Sequence, residues 1–332
     1  MHRLLVLAAL FVAVPVQAVT ITQVRVSEAN NPPDDANHCF SQTCGAVDHE
    51  YSIGTYEVTN AQYAEFLNAV ADADPNGLYN TSMGSDTIGG ITRSGSSGGY
   101  AYAVKSGRGN NPVIFVSFYD ALRFANWLHN GQPIGAQGAS TTENGAYTIT
   151  PNGVAANSIT RNVGARYFLP TEDEWYKAAY YDAGLSVYYD YPMGTNTTPV
   201  SAPPPSTDQA GNFWNVNYAL TGSPIKSNAI NYLSDAGAYT LASSPYGTFD
   251  QGGNVYEWNE TVGTATTTRG LRGGSWDDSS SYLYVSIYTE QSPTIESEEW
   301  GFRVAPEPSQ LLIAATAVLT LAAERRRRRP SR

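Results

Sequence analysis

Asp250-Gln251-Gly252-Gly253-Asn254-Val255-Tyr256-Glu257 is the stretch best equipped for chemistry. Asp250 and Glu257 bracket a turn made permissive by two glycines, and backbone carbonyls between them can face inward. Calcium takes about six to eight hard oxygens from carboxylates and carbonyls around such a turn. The competing reading is a β-turn in which a buried Glu257 pairs with an arginine such as Arg272. Calcium is favoured, because both acids are otherwise costly beside Trp258.

The chain's two cysteines, Cys39 and Cys44, lie near its N-terminus. In an exported protein they are expected to form a disulfide. His38 and His49 flank them and invite a zinc reading, but the paired C-x-x-C spacing is missing. Outside the first residues the only other histidine is His129, placed to meet a helix C-terminus. No H-x-x-x-H cluster exists for iron, and a Ser-His-Asp hydrolase is not expected. Asp277-Asp278 and Glu296, Glu298 and Glu299 offer the carboxylate pairs that glycosidases use, and they read as solvated loop residues.

Three segments carry helix-start signals. Thr59 and Gln62 form a capping box with Val58 and Tyr63 as staple, ahead of Phe66, Leu67 and Val70. Ser117 and Asp120 open a second helix that runs through Leu122, Phe124, Ala125 and Leu128 to Gly131. Thr171 and Glu174 open a third, ahead of Trp175, Ala178, Ala179 and Tyr180. Loops are expected over Ser82 to Gly99 and Gly131 to Gly145. Short strands are expected over Tyr51 to Tyr56, Ala146 to Thr150 and Gly301 to Ala305. This pattern predicts a loop-rich α+β domain with little regular structure.

Both ends read as processing signals. His2 and Arg3, the apolar run Leu4 to Val14, and Val16-Gln17-Ala18 make an export signal over residues 1–18, for signal peptidase. Eleven apolar residues cannot span roughly 30 Å of hydrocarbon. At the other end, Pro306-Glu307-Pro308, the apolar stretch Leu311 to Ala323 and Arg325 to Arg329 would anchor the chain transiently, arginines in the cytoplasm. The whole chain carries −11; without Arg3, Arg325 to Arg329, Arg332 and Glu324 it keeps 12 basic and 29 acidic residues, a balance of −17. Such a body repels nucleic acid and suits divalent cations.

Five blocks resemble the formylglycine-generating enzyme (sulfatase-modifying factor) family, in order. They are Tyr56-Glu57-Val58-Thr59; Asn111-Pro112-Val113 through Ala125-Asn126-Trp127-Leu128; Phe168-Leu169-Pro170-Thr171-Glu172-Asp173-Glu174-Trp175; Ser244-Pro245-Tyr246-Gly247 through Trp258; and Arg272-Gly273-Gly274-Ser275-Trp276 with Gly301-Phe302-Arg303. The resemblance covers roughly Tyr51 to Ala305 and implies the family's fold, a variant related to C-type lectins. Residues 19–50 then form an N-terminal segment holding the cysteines, and residues 306–332 a tail similar to the PEP-CTERM signal of Gram-negative-type bacteria, cut by an exosortase.

In catalytic members two cysteines between the last landmarks bind copper. Here Leu283 and Tyr288 fall at those positions, and neither supplies a soft thiolate for Cu(I). The resemblance places calcium on Asp250, the carbonyls of Gly253 and Val255, and Glu257. A second site would use Asn212 and the carbonyl of Phe213, with Asp235 as a substitute ligand. Tyr180, Tyr181, Tyr188, Tyr189, Tyr191, Tyr282, Tyr284, Tyr288 and Trp276 would surround the substrate groove, suited to sugar rings or extended peptides. The resulting expectation is a non-catalytic, calcium-stabilised domain at the envelope surface or in the extracellular matrix, binding an exported peptide or polysaccharide. The alternative is a family-type oxidase acting on a cysteine of a sulfatase or other exported protein. Cys39 and Cys44 folded into the pocket so as to restore the missing thiol pair would overturn the binding-only reading.

Overall fold

Three capped helices define where the core forms. In the computed structural model, α1 (Asn60–Val70), α2 (Phe118–His129) and α3 (Glu172–Tyr180) each begin with a capping box whose two reciprocal hydrogen bonds are both made. Thr59, Ser117 and Thr171 are the caps, each satisfying an amide the first turn leaves without a partner. Gly131, at φ +83°, follows the end of α2 in the left-handed conformation expected of a helix stop. The structure describes residues 18–307 except 36, 40–42 and 208. The expected export signal and the apolar and arginine-rich parts of the tail therefore lie outside the described residues. Among the described residues no helix is long and apolar enough to cross a membrane.

α2 is buried from Phe118 to Leu128 and forms the centre of the domain. Phe66 of α1 meets Phe124 edge-on at 5.4 Å, and Phe124 meets Phe302 at 5.5 Å. Each such ring contributes about 1.5–3 kcal/mol through burial. Two antiparallel pairs precede α2: β1 (Gln23–Val26) with β2 (Tyr51–Gly54), and β3 (Ile91–Ser94) with β4 (Ala101–Val104). Val26 is fully buried, so the N-terminal segment packs into the same body as the rest. After α3 comes the largest sheet, built from β5 (Tyr256–Val262), β6 (Arg269–Arg272), β7 (Thr289–Gln291) and β8 (Trp300–Gly301), in the order β7-β6-β5-β8. β8 lies parallel to β5 and the other neighbours are antiparallel.

Three sequence expectations need correction. Ala146 to Thr150 is no strand beyond an isolated bridge between Tyr147 and Arg161. The Asn126 side chain accepts from the Tyr147 amide and donates to its carbonyl, replacing a ladder partner. Ser82 to Gly99 is not all loop: Ser82–Ser85 is helical and Ile91–Ser94 is β3, because Ile91 and Tyr102 pack inward around a glycine-rich tip. That tip, Gly95-Ser96-Ser97-Gly98-Gly99, has the G-x-S-x-G spacing but joins two strands, so it is no nucleophile elbow. Gly301 to Ala305 splits in two: Gly301 ends β8, while Ala305–Pro306 pairs with Tyr167–Phe168.

Between those pieces the Arg303 side chain turns fully inward. It pairs with both Glu257 oxygens through its Nε–Nη2 edge and donates to the carbonyls of Gly54, Thr55 and Phe249. Removing one partner of a fully buried pair strands the other charge. Arg303→Leu is therefore expected to lower unfolding stability by about 3–5 kcal/mol in urea titrations. Glu65→Gln on the exposed face of α1 should stay within about 0.5 kcal/mol of the parent.

Candidate functional site

The turn before β5 is wound through left-handed residues: Asp250 at φ +60°, Gly253 at +89° and Asn254 at +62°. Gly253 has no substitute, since a Cβ there would lie 2.4 Å from the Asn212 carbonyl oxygen. Asn254 organises the turn. Its Oδ1 accepts from the Asn212 side chain and the Ser234 amide, and its Nδ2 donates to Glu57 Oε1 at 3.0 Å. Asp250 Oδ2 accepts from the Gly237 amide.

Glu257, expected as a metal ligand or a partner of Arg272, is committed elsewhere. Arg303 holds both its oxygens, and the Trp175 indole N–H donates to Oε2 at 2.7 Å. Arg272 pairs with Glu172 instead. Burial pushes the Glu57 carboxyl well above the carboxylate range, with the negative charge of Asp250 adding to it. Asp250 is pushed up to about 6, again by burial. Three buried carboxylates face one guanidinium here. No donor among the described residues reaches the Gly253 or Val255 carbonyl oxygens. The donor set, all hard oxygen with one Glu57 oxygen unpartnered, fits a calcium ion.

The residues of the second expected metal set also make other hydrogen bonds. Asn212 donates to the Tyr232 carbonyl and to Asn254, the Phe213 carbonyl accepts from the Ser201 hydroxyl, and Asp235 is tied to Asn111. Among the described residues two other groups hold ligand atoms within 4.8 Å of one another: Asp34, Asp35 and His38, and Asp277, Glu298 and Glu299. Both are internally compensated. His38 Nδ1 lies 3.0 Å from Asp34, and Lys226 bridges Asp277 at 2.7 Å and Glu298 at 2.8 Å. The carboxylates expected to be solvated are thus half-buried and paired, with Asp278 held by Ser275.

A cavity of about 750 Å³ lies at the N-terminal end of α3 and brings together residues the sequence keeps far apart. Tyr288 lines it, and so do Cys39 and Cys44, joined as the expected disulfide with Cα atoms 5.8 Å apart. Arg272 forms part of the wall, stacked 5.5 Å from the Tyr288 ring and bonded to Glu172 Oε1 at 2.6 Å. Asp173 accepts from the Gly45 amide, and Glu290 from the Thr264 amide. The Tyr288 hydroxyl, buried, has no partner among the described residues. Leu283 does not reach the cavity. It is fully buried against Tyr191 and Phe213, where a Cβ on Gly274 would approach it to 2.9 Å.

Of the nine aromatics expected around the groove, Tyr180, Tyr181, Tyr191 and Trp276 are core, four are half-buried and only Tyr282 is exposed. Arg303 and Glu57 were missed. The available signal was a charged residue inside an apolar run, Tyr56-Glu57-Val58 and Phe302-Arg303-Val304, since charges buried that way require partners.

The family model described as "Sulfatase-modifying factor enzyme 1-like domain" matches residues 23–308. The crystal structure of CarF superposes with a TM-score of 0.51 at 21% identity, covering 87% of this chain and 99% of that one. Treponema denticola variable protein 1 gives 0.49 at 20% identity, over 89% of this chain and 98% of that one. PvdO from Pseudomonas aeruginosa gives 0.44 at 16%, over 87% and 92%. No curated protein matches. The family match and the likeness to CarF show the fold.

α3 is held beside the cavity by a charged network: His49 Nε2 lies 3.2 Å from Glu174, which Arg161 also pairs at 2.8 Å, and Asp48 faces the other ring nitrogen. The Glu174 hydrogen bond is the main cause that raises His49 from 6.5 to about 9. A raised folded pKa means the folded state holds the proton more tightly, so this stabilisation is complete below 6.5 and is lost as pH rises through about 9. Glu296 at about 7 and Lys177 at about 8 titrate in the same range in both proteins, so His49 is read from the difference between the parent and His49→Gln. The parent's advantage in melting temperature should be full below 6.5 and shrink as pH rises through about 9. Parallel curves for the two proteins would exclude this network.

Proposed function

The chain belongs to the family of sulfatase-modifying factor enzyme 1-like domains, and on that premise we propose that it is an exported, calcium-stabilised binding domain and not an oxidase. The observation that carries the reading concerns sulfur. The chain has two cysteines and they are bonded to each other, leaving no thiolate pair to hold Cu(I). Leu283 and Tyr288 fill the positions where the family resemblance puts cysteines. Leu283 is sealed in the interior, and Tyr288 lines the cavity with its hydroxyl buried.

The cavity is the binding site in this reading. Its wall offers a disulfide, threonine hydroxyls and carboxylates, a mixture that suits an exported peptide or a polysaccharide. The terminal signals supply export and sorting to the envelope through signal peptidase and an exosortase. Calcium on the turn Asp250–Glu257 would clamp a domain whose strands are mostly two to four residues long. Asp250 and the Gly253 and Val255 carbonyls would hold it.

One observation favours the oxidase alternative: Cys39 and Cys44 share the cavity with Tyr288. A reduced pair would place two thiols there. Reduced protein loaded with Cu(I) and given a cysteine-containing sulfatase peptide is expected to yield no formylglycine by mass spectrometry. Product that disappears in Cys39→Ser would reverse the assignment. For calcium, chelator should lower the melting temperature and added calcium restore it. A transition indifferent to chelator would remove calcium from the reading.

A further inference from the structure

Among the described residues three buried side-chain oxygens lack a hydrogen-bond partner, and two of them, Thr55 Oγ1 and Glu57 Oε2, lie two positions apart where the chain bends between β2 and α1. That segment is docked on the turn. The Phe249 amide donates to the Thr55 carbonyl at 2.9 Å, and Asn254 Nδ2 fixes Glu57 Oε1 at 3.0 Å. The second Glu57 oxygen is therefore held at the same turn, with the residue 98% buried (2% exposed) and nothing to accept from. Asp250, 8% exposed, has one carboxylate oxygen on the Gly237 amide and no donor among the described residues on the other. Leaving such groups unpaired costs on the order of 1–3 kcal/mol each, and more when charged.

Arg303 does not resolve the imbalance, because both its edges are spent on Glu257 and three backbone carbonyls. Glu257 in turn already receives Arg303 and the Trp175 indole. No group of three acids at this turn has ligand atoms within 4.8 Å of one another, so Glu57, Asp250 and Glu257 do not act as one carboxylate cage. We infer that Glu57, assisted by the Thr55 hydroxyl, is the second carboxylate ligand of a divalent cation held by Asp250 and the turn carbonyls, while Glu257 serves Arg303. The inference rests on the calcium reading above and changes its ligand set. Five oxygens then come from two segments: Thr55 and Glu57 on one side, Asp250, Gly253 and Val255 on the other. Water completes a coordination shell of this kind. One divalent ion balances three carboxylates and one guanidinium. It also fastens the start of α1 to the central sheet.

The test uses the mature chain with calcium and, as a luminescent stand-in, terbium excited through the nearby Trp175. Wild type should gain melting temperature with calcium, and calcium should displace terbium emission. Glu57→Gln keeps the hydrogen bond to Asn254 but loses the charge. It should weaken binding by about tenfold or more and abolish most of the calcium-induced rise in melting temperature, without lowering the cation-free transition. Thr55→Val should weaken binding by a smaller factor, and it carries the comparison should Glu57→Gln fail to fold. Unchanged affinity in the folded variants, with Asp250→Asn abolishing binding, would overturn the role of Glu57 and leave the calcium reading intact. Absence of any cation response in wild type would overturn both.

Discussion

The Glu257–Arg303 ion pair is the constraint on which the arrangement depends. Both residues have no exposed surface, and the arginine spends its remaining donors on carbonyls at the end of β2 and just before the turn. Glu257 adds the indole of Trp175 on α3. One charge pair thus joins the N-terminal hairpin, the turn, the largest sheet, α3 and the C-terminal return. Its net contribution is small compared with an apolar equivalent of the same volume, but losing either half leaves an uncompensated charge in a dry interior. The pair defines which segments meet more than it adds to total stability.

A chain with so few long strands needs such devices. Pairings two residues long, like Tyr167–Phe168 with Ala305–Pro306, cannot hold themselves together in water. Side chains do the work that ladders do elsewhere. Asn126 stands in as a strand partner for Tyr147, Arg269 donates to the carbonyls of Asn157, Ile159 and Glu260, and Asn60 reaches the carbonyls of Arg108 and Asn111. Each of these backbone groups is satisfied by a side chain brought in from elsewhere in the chain.

This explains what could be read from the chain and what could not. Capping boxes are local: Thr59 with Gln62, Ser117 with Asp120 and Thr171 with Glu174 are visible as spacings, and all three helices start where those spacings put them. The Cys39–Cys44 bond was legible for the same reason. Arg272 was named as the partner for Glu257, and the register does place the two opposite each other on neighbouring strands. Yet Arg272 is drawn to Glu172 on α3, and Glu257 to Arg303 beyond β8. Choosing between two arginines needs the three-dimensional paths of α3 and the C-terminus, which no spacing contains. The aromatic set failed similarly, since tyrosine suits a core with a hydrogen-bond partner as well as a groove.

α3 connects the two candidate sites. Its first turn presents Glu172 and Asp173 to the cavity, and one turn later Trp175 reaches Glu257. Arg272 closes the circuit by holding Glu172 while covering the face of Tyr288. The cavity wall and the oxygen-rich turn are therefore set by the same two strands and the same helix end. The disulfide adds a limit of a different kind. A sulfur–sulfur bond has no proton to lose and offers no thiolate, so while Cys39 and Cys44 stay joined their presence in the wall supplies bulk and polarisability and no nucleophile. The oxidation state of that one bond, more than the identity of any other lining residue, separates a binding cavity from a reactive one.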